Sequence, residues 1–168
     1  GSRVLAPYFG NSIFVWGSLI SVVLAALSLG YYWGGWLSAR SPSFGGLLKL
    51  LLTPGLLIFS LPFIYPQVNL WVFNVDFGIR ANPLIASLIY FLPPSVFLGT
   101  VSPYAVRLSA TALSTVGSTA GTLYAVSTCG SIFGTLLTAF YLIPILGVSI
   151  IIHSLGLTLV LLCLLSWP

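Results

Sequence analysis

The chain has 168 residues, of which 58% are hydrophobic and only 4% are charged. A soluble domain carries about 25% charged residues, so this composition excludes a water-soluble globular protein and predicts an integral membrane protein. The net charge of +4 comes from five cations and one acid, and the cations are spread along the chain. The cations form no cluster of the kind that marks recognition of nucleic acid or of anionic lipid, so nucleic acid is excluded as a partner. The apolar composition itself predicts the lipid bilayer as the surroundings of the chain.

Five apolar segments are long enough, or nearly so, to cross a bilayer as helices, which takes about 20 residues. Continuous apolar runs favour helices over a transmembrane barrel, whose strands alternate apolar and polar residues. The sequence therefore predicts an all-α fold, a single polytopic transmembrane helix bundle covering residues 1–168. The predicted spans are about 12–38, 47–65, 84–101, 117–143 and 148–167.

The connections between the spans differ in character. Residues 40–46 form a short polar turn, and residues 144–147 form a tight hairpin. Residues 66–83 are longer and semi-polar, and their aromatic side chains predict a segment that lies along the membrane surface. Residues 102–116 mix small polar and apolar residues, which is compatible with a surface helix.

The distribution of cations indicates an orientation in the membrane. Arg40, Lys49 and Arg107 fall on one side of the predicted spans, whereas Arg3 and Arg80 fall on the other. Lysine and arginine favour the cytoplasmic face of a membrane. The side with three cations is therefore predicted to be cytoplasmic, against two cations on the other side. We therefore expect a multi-pass protein of the plasma membrane whose C-terminus is cytoplasmic.

Small residues recur at helical spacing in the fourth span, where Gly117, Gly121 and Ala125 are followed by Gly130 and Gly134. Helices associate in lipid through close backbone approach and interhelical hydrogen bonds. The pattern predicts a central packing helix, although it does not distinguish packing within the chain from dimer formation. The first span carries a similar set: Gly17, Ser21, Ala25, Ser28, Gly30 and Gly34.

The third span contains a proline pair, Pro93 and Pro94, which removes backbone donors and predicts a kink. Pro103 is interpreted as the exit from lipid. Arg107 follows it, where it is expected to anchor to headgroups or to cap carbonyls at a helix end. A broken helix can also mark a transporter's binding site, and that alternative stays open.

Side chains that carry chemistry are scarce. Asp76 is the single acid and lies four residues before Arg80, which predicts a local ion pair. His153 lies near one end of the fifth span, where a neutral imidazole bonded to water or a carbonyl is favoured over a functional role. The sequence lacks paired carboxylates, metal-ligand spacing and phosphate-binding glycine motifs, so it predicts no catalytic residue, metal or other cofactor in this chain.

Three stretches agree with one family in order and spacing, from residue 1 to about residue 147. They read GSRVLAPYFGNSIFVWGSLISVVLAALSLGYYWGGWLSAR, FLPPSVFLGTVSPYAVRL and GTLYAVSTCGSIFGTLLTAFYLIPILG. Together they resemble the membrane portion of the fused major-facilitator/spermidine-synthase-like proteins. The resemblance implies a further helix before residue 1 and a separate aminopropyltransferase-like domain after Pro168, which would carry the polyamine chemistry.

Residues 35–40, GWLSAR, also resemble the G-x-L-A-D-R loop motif of major facilitator proteins. Gly35, Leu37 and Arg40 match the motif, whereas Ala39 stands where the motif has its acid. The resemblance implies that the first span corresponds to the second helix of a six-helix half. It does not extend to the acid that helps to gate such transporters.

Two functions of different classes stay open. The first is a non-catalytic membrane module in a polyamine-related or transport-related system, acting with a partner or a further domain. The alternative is a structural or interaction subunit of a larger membrane complex, which the scarcity of polar groups inside the spans favours for this chain alone. Both functions predict other membrane protein chains, or a second copy of this one, as partners.

Overall fold

The computed structural model describes residues 1–40, 42–110 and 116–167. The described residues are almost entirely helical, and five helical segments are long and apolar enough to cross a membrane, which confirms the predicted all-α transmembrane fold. The helices are α1 Ser2–Phe9, α2 Ile13–Arg40, α3 Phe44–Val75, α4 Ala81–Ser109, α5 Val116–Leu137, α6 Ile143–Ile145 and α7 Val148–Leu165. A π-helical turn, Thr138–Leu142, continues α5 into α6.

Two connections that the sequence placed outside the spans are helical instead. α3 continues to Val75, so the expectation that residues 66–83 lie along the surface is wrong for most of that segment. α4 continues to Ser109 and takes in much of the segment 102–116, while residues 111–115 lie outside the described part of the chain. Prolines and polar residues predicted helix ends here, but both helices continue through them, and Asn69 finds hydrogen-bond partners on α1 and α4.

α2 and α4 form a close helix pair through small residues. A Cβ added to Gly30 would overlap the carbonyl oxygen of Val96, and one added to Gly34 would lie 2.5 Å from the carbonyl oxygen of Thr100. Gly99 faces this contact from α4, where an added Cβ would lie 3.0 Å from the carbonyl oxygen of Leu27. The two backbones therefore touch directly, which is how helices gain van der Waals contact in lipid.

The contact face of α2 differs from the small-residue set that the sequence indicated. Gly17, Ser21, Ala25 and Ser28 are exposed, and only Gly30 and Gly34 of that set are buried. The buried face is a second row at four-residue spacing: Ser18, Val22, Ala26, Gly30, Gly34 and Ser38. Both rows consist mostly of small residues, and the single glycine of α4, Gly99, packs against the second row at Gly30.

α3 and α7 form a second close pair. A Cβ on Gly156 would lie 2.5 Å from the backbone nitrogen of Phe59, and one on Gly55 would lie 3.1 Å from Cβ of Leu159. The rest of α7 is mostly exposed aliphatic surface, which suits contact with lipid tails. Glycine therefore sets the approach of the helices in both pairs.

The bundle has two ends, which we name after the Arg40 and Asp76 side chains. At the Arg40 end, Tyr104 of α4 meets Ser43, the N-cap of α3. At the Asp76 end, α1 packs beneath the other helices, with Leu5 fully buried. The apolar core there consists of Val4, Leu5, Val15, Leu19, Ala86 and Tyr90.

Candidate functional site

α5 carries the small-residue row that was expected to pack, yet the described chain does not cover it. None of the residues Val116–Leu137 is buried. A Cβ added at any of the four glycines of this helix would meet nothing within 4 Å, and Ala125 is exposed. These glycines are Gly117, Gly121, Gly130 and Gly134. The interpretation of α5 as a central helix of this chain is wrong, because α2 and α4 form the centre of the bundle. That the small-residue row of α5 packs against another chain stays a prediction.

A cleft of about 960 Å³ lies between α5 and α2. The wall formed by α5 and the π-helical turn is small and hydroxyl-bearing: Ser131, Gly134, Thr135 and Thr138. The α2 wall is bulky and aliphatic: Leu19, Ile20, Val23 and Leu24. The Ser131 hydroxyl donates to the carbonyl of Ser127 at 2.9 Å, so this hydroxyl is already bonded within α5.

A buried polar network joins four helices near the Asp76 end. Asn69 of α3 donates from Nδ2 to the carbonyl of Val4 at 3.2 Å, and its Oδ1 accepts from the hydroxyl of Tyr90 at 2.7 Å. The Tyr90 hydroxyl also lies 3.0 Å from the carbonyl of Tyr65. The Tyr65 hydroxyl in turn lies 3.0 Å from Oγ of Ser149 on α7. These bonds fix α1, α3, α4 and α7 relative to one another.

Neither Asn69 nor Tyr90 stands out in the sequence as a site residue. Asn69 falls in the segment 66–83 that the sequence placed on the membrane surface, although it is fully buried in α3. The available signal was an amide in an apolar helix, since a polar side chain at membrane depth usually faces the bundle and finds a partner. To recognise Asn69 in this way, the sequence prediction would have had to extend the helix through Pro66. α3 does continue through Pro66 in the structure.

The proline pair of α4 lies inside a continuous helix. Pro93 and Pro94 have no N–H to donate, so the carbonyls of Ile89 and Tyr90 lack their usual partners one turn earlier. Pro94 is buried and lines a cavity of about 240 Å³ beside the polar network. Polar groups on its wall include the Tyr90 and Ser95 side chains.

Pro103 and Arg107 occupy the last part of α4. Pro103 does not end the helix, which runs to Ser109, and instead its ring packs close to Gly34 of α2. Arg107 is exposed in the last turn. Arg40 has the same position on α2, where its guanidinium lies 3.7 Å from the ring centroid of Trp36. Both cations suit the negative end of a helix dipole.

Asp76 closes the turn between α3 and α4 and does not form the predicted ion pair with Arg80. Its Oδ1 accepts from the backbone nitrogen of Gly78 at 3.1 Å and from Nδ2 of Asn82 at 3.0 Å. Asp76 itself has a left-handed φ of 49° as the C-cap of α3. The guanidinium of Arg80 lies 5.6 Å from the ring of Phe14. The prediction failed because local backbone and amide donors already surround the carboxylate.

His153 lies in the second turn of α7. Its Nδ1 lies 2.9 Å from the carbonyl of Ser149, so Nδ1 is the donor in that bond. The ring packs edge-on against Phe59 and Phe63, at centroid distances of 5.2 and 4.9 Å. Nε2 is buried without a partner among the described residues. This arrangement is the carbonyl-bonded one that the sequence favoured.

The membrane-length helices, glycine-mediated pairs and buried polar network define a multi-pass helical membrane protein. No group of three His, Cys, Asp or Glu side chains suited to a metal ion occurs among the described residues. Comparisons with known protein families, with curated proteins and with solved structures found no match to this chain. The resemblance to the fused spermidine-synthase-like proteins therefore stays a prediction.

Proposed function

We propose that this chain is a helical membrane module that assembles with another membrane protein chain through α5. One observation carries the proposal: α5 belongs to a membrane-length apolar segment, yet none of its residues is buried within the chain. Each of the other four long helices buries residues against a neighbour. A partner at α5 would give this helix the contact that the others find internally.

The surface chemistry of α5 supports a helix as its neighbour. The exposed surface of α7 is largely leucine and isoleucine, which suits contact with lipid tails. α5 also exposes bulky side chains such as Ile132 and Phe133, but between them it exposes glycine, serine and threonine, which let a second helix backbone approach closely. Residues 131–138 of this helical segment also line the cleft toward α2, so a partner helix would contact two helices of this chain.

The exposed area of the chain supports an interface of ordinary size. The accessible surface is 10,074 Å². A compact soluble monomer of the same 17.9 kDa exposes about 8,000 Å², so the excess is about 2,000 Å². A standard protein interface buries about 800 Å² on each partner. The excess exposed area of this chain is larger than that.

Leucine at both Gly121 and Gly134 is expected to abolish assembly without unfolding the chain. A Cβ added at either position meets no atom within 4 Å, so each new side chain begins in open space within this chain. The measurement is the native mass of the chain extracted from its membrane in mild detergent. We expect a complex larger than 17.9 kDa for the original chain and a monomer for the double variant.

The matched control is leucine at Gly17 and Gly35, two positions of α2 that are equally open. This control is expected to retain the complex. Because both double variants add the same apolar volume to a membrane helix, their difference isolates the α5 surface. A monomeric original chain, or equal loss of the complex in both variants, would contradict the proposal.

The second proposal is the transport-related or polyamine-related role that the family resemblance implies. The cavity of about 240 Å³ beside Pro94 supports it, since proline-broken helices can mark a solute site. The single acid, Asp76, is exposed in the α3–α4 turn, so such a solute would be neutral or anionic and not a polyamine with several charges. The test measures uptake of labelled spermidine by liposomes that contain the chain. Uptake above that of empty liposomes would contradict the preference for a neutral or anionic solute over a polyamine.

A further inference from the structure

The geometry points to a binding site for an anionic phospholipid at the Arg40 end of the bundle, where α2, α3 and α4 meet. Two adjoining cavities form it. The first, the aromatic groove, has a volume of about 430 Å³ and is lined chiefly by Tyr32, Trp33, Trp36, Leu37, Leu50 and Phe97. The second, the Lys49 niche, has a volume of about 320 Å³ and is more polar. Leu37 and Leu50 line both cavities, so the apolar and polar compartments adjoin each other.

Two cations lie beside these compartments. Lys49 lines the niche and is exposed, and its ammonium group has no hydrogen-bond or ion-pair partner among the described residues. Arg40 lies over the ring of Trp36, which is part of the aromatic groove, at 3.7 Å from the ring centroid. The single acid of the chain, Asp76, follows the far end of α3, about 40 Å along the helix from Lys49. The positive charge here is therefore unopposed.

The α2–α4 contact and the start of α3 hold this site in shape. The Tyr104 hydroxyl accepts from the backbone nitrogen of Ser43 at 3.0 Å, and Oγ of Ser43 accepts from the nitrogen of Gly46 at 3.1 Å. A Cβ on Gly46 would overlap the Tyr104 hydroxyl, so this turn admits no larger residue without movement. Because these amides already have partners, binding of an anion depends on the side chains of Lys49 and Arg40.

The combined chemistry selects a phospholipid over a free anion. The aromatic groove is almost wholly apolar and suits the start of an acyl chain, while the adjoining cations suit a phosphate. Tryptophan and tyrosine are the side chains that prefer the depth where these two parts of a lipid meet. Basic pockets between membrane helices are known to hold anionic headgroups. A free phosphate would use the cations and leave the groove unused.

The test compares phosphatidylglycerol with phosphatidylcholine. The full chain is placed in lipid vesicles that contain either lipid in brominated form, and the quenching of tryptophan fluorescence gives their relative association constants. Trp33 and Trp36 line the groove, so an occupied site is quenched. We expect several-fold preference for phosphatidylglycerol in the original chain. The variant Arg40→Gln/Lys49→Gln is expected to bind the two lipids equally.

Three further variants separate charge from shape. Arg80→Gln removes a cation at the opposite end and is expected to keep the preference. Leu50→Phe adds bulk to the wall shared by both cavities without adding a tryptophan and is expected to remove the preference, whereas Leu56→Phe, at an exposed position of the same helix, is expected to keep it. No preference in the original chain, or a preference that survives the loss of both Arg40 and Lys49, would overturn the proposal. Full displacement of phosphatidylglycerol by inorganic phosphate would also overturn it, in favour of a free-anion site.

Discussion

Alanine at Gly30 is expected to cause the largest loss of stability of any single methyl addition in α2. The new Cβ would overlap the backbone carbonyl of Val96, which cannot rotate away as a side chain can. Overpacking usually costs about 1–3 kcal/mol, and a backbone obstacle places this variant at the upper end of that range. The measurement is the free energy of unfolding in mixed micelles, followed by tryptophan fluorescence as a denaturing detergent is added.

Gly35→Ala is the control for this variant. An added Cβ at Gly35 meets nothing within 4 Å, although the residue lies in the same helix and one position after the buried Gly34. Alanine favours a helix over glycine by about 1 kcal/mol, so this variant is expected to be as stable as the original chain or more stable. Equal stability of Gly30→Ala and Gly35→Ala would mean that α2 and α4 do not touch as described.

The second large effect is expected for Tyr90→Phe. The change removes the hydroxyl that donates to Oδ1 of Asn69 at 2.7 Å and leaves that buried oxygen without its donor. An unsatisfied buried polar group costs about 1–3 kcal/mol of unfolding free energy. The same unfolding measurement applies, and Tyr31→Phe, which alters an exposed tyrosine, is expected to change little.

A double-mutant cycle with Asn69→Leu shows whether the hydrogen bond itself is responsible. Once Tyr90 is phenylalanine, the Asn69 oxygen is already unpaired, so Asn69→Leu is expected to cost less than it does alone. Interhelical hydrogen bonds in membranes couple by about 0.6 kcal/mol on average, and up to about 1.7 kcal/mol. Strictly additive losses would show that Tyr90 and Asn69 act independently, contrary to the contact in the structure.

The extent of the helices was predictable where the chain itself ends them. Gly147 separates the last two spans, and their predicted limits, 117–143 and 148–167, differ by only a few residues from the helical segments 116–145 and 148–165. The second and third spans were predicted too short. Pro66, Asn69 and Pro103 resemble helix breakers in the sequence, yet both helices continue through them, and the Asn69 amide finds its partner in Tyr90 of α4.

The contacts between helices were much harder to predict. α2 has two rows of small residues, one through Gly17 and one through Gly30, and both have the spacing that favours packing. The choice depends on where Gly99 and Thr100 of α4 lie, and that position is set by residues far away in the sequence. The same holds for Asn69 and Tyr90, which are partners only because α3 and α4 run side by side.

The close pairing of α3 with α7 joins two helices of very different length. α3 has 32 residues and extends about 48 Å, whereas α7 has 18 residues and extends about 27 Å. A hydrocarbon layer of about 30 Å matches α7 and leaves roughly 18 Å of α3 to tilt or project. A thicker bilayer would cover more of α3 while burying the polar ends of α7, and glycine contacts prevent either helix from sliding freely. Hydrophobic mismatch at this one pair therefore links the stability of the chain to membrane thickness, and membranes of different thickness would retain it to different extents.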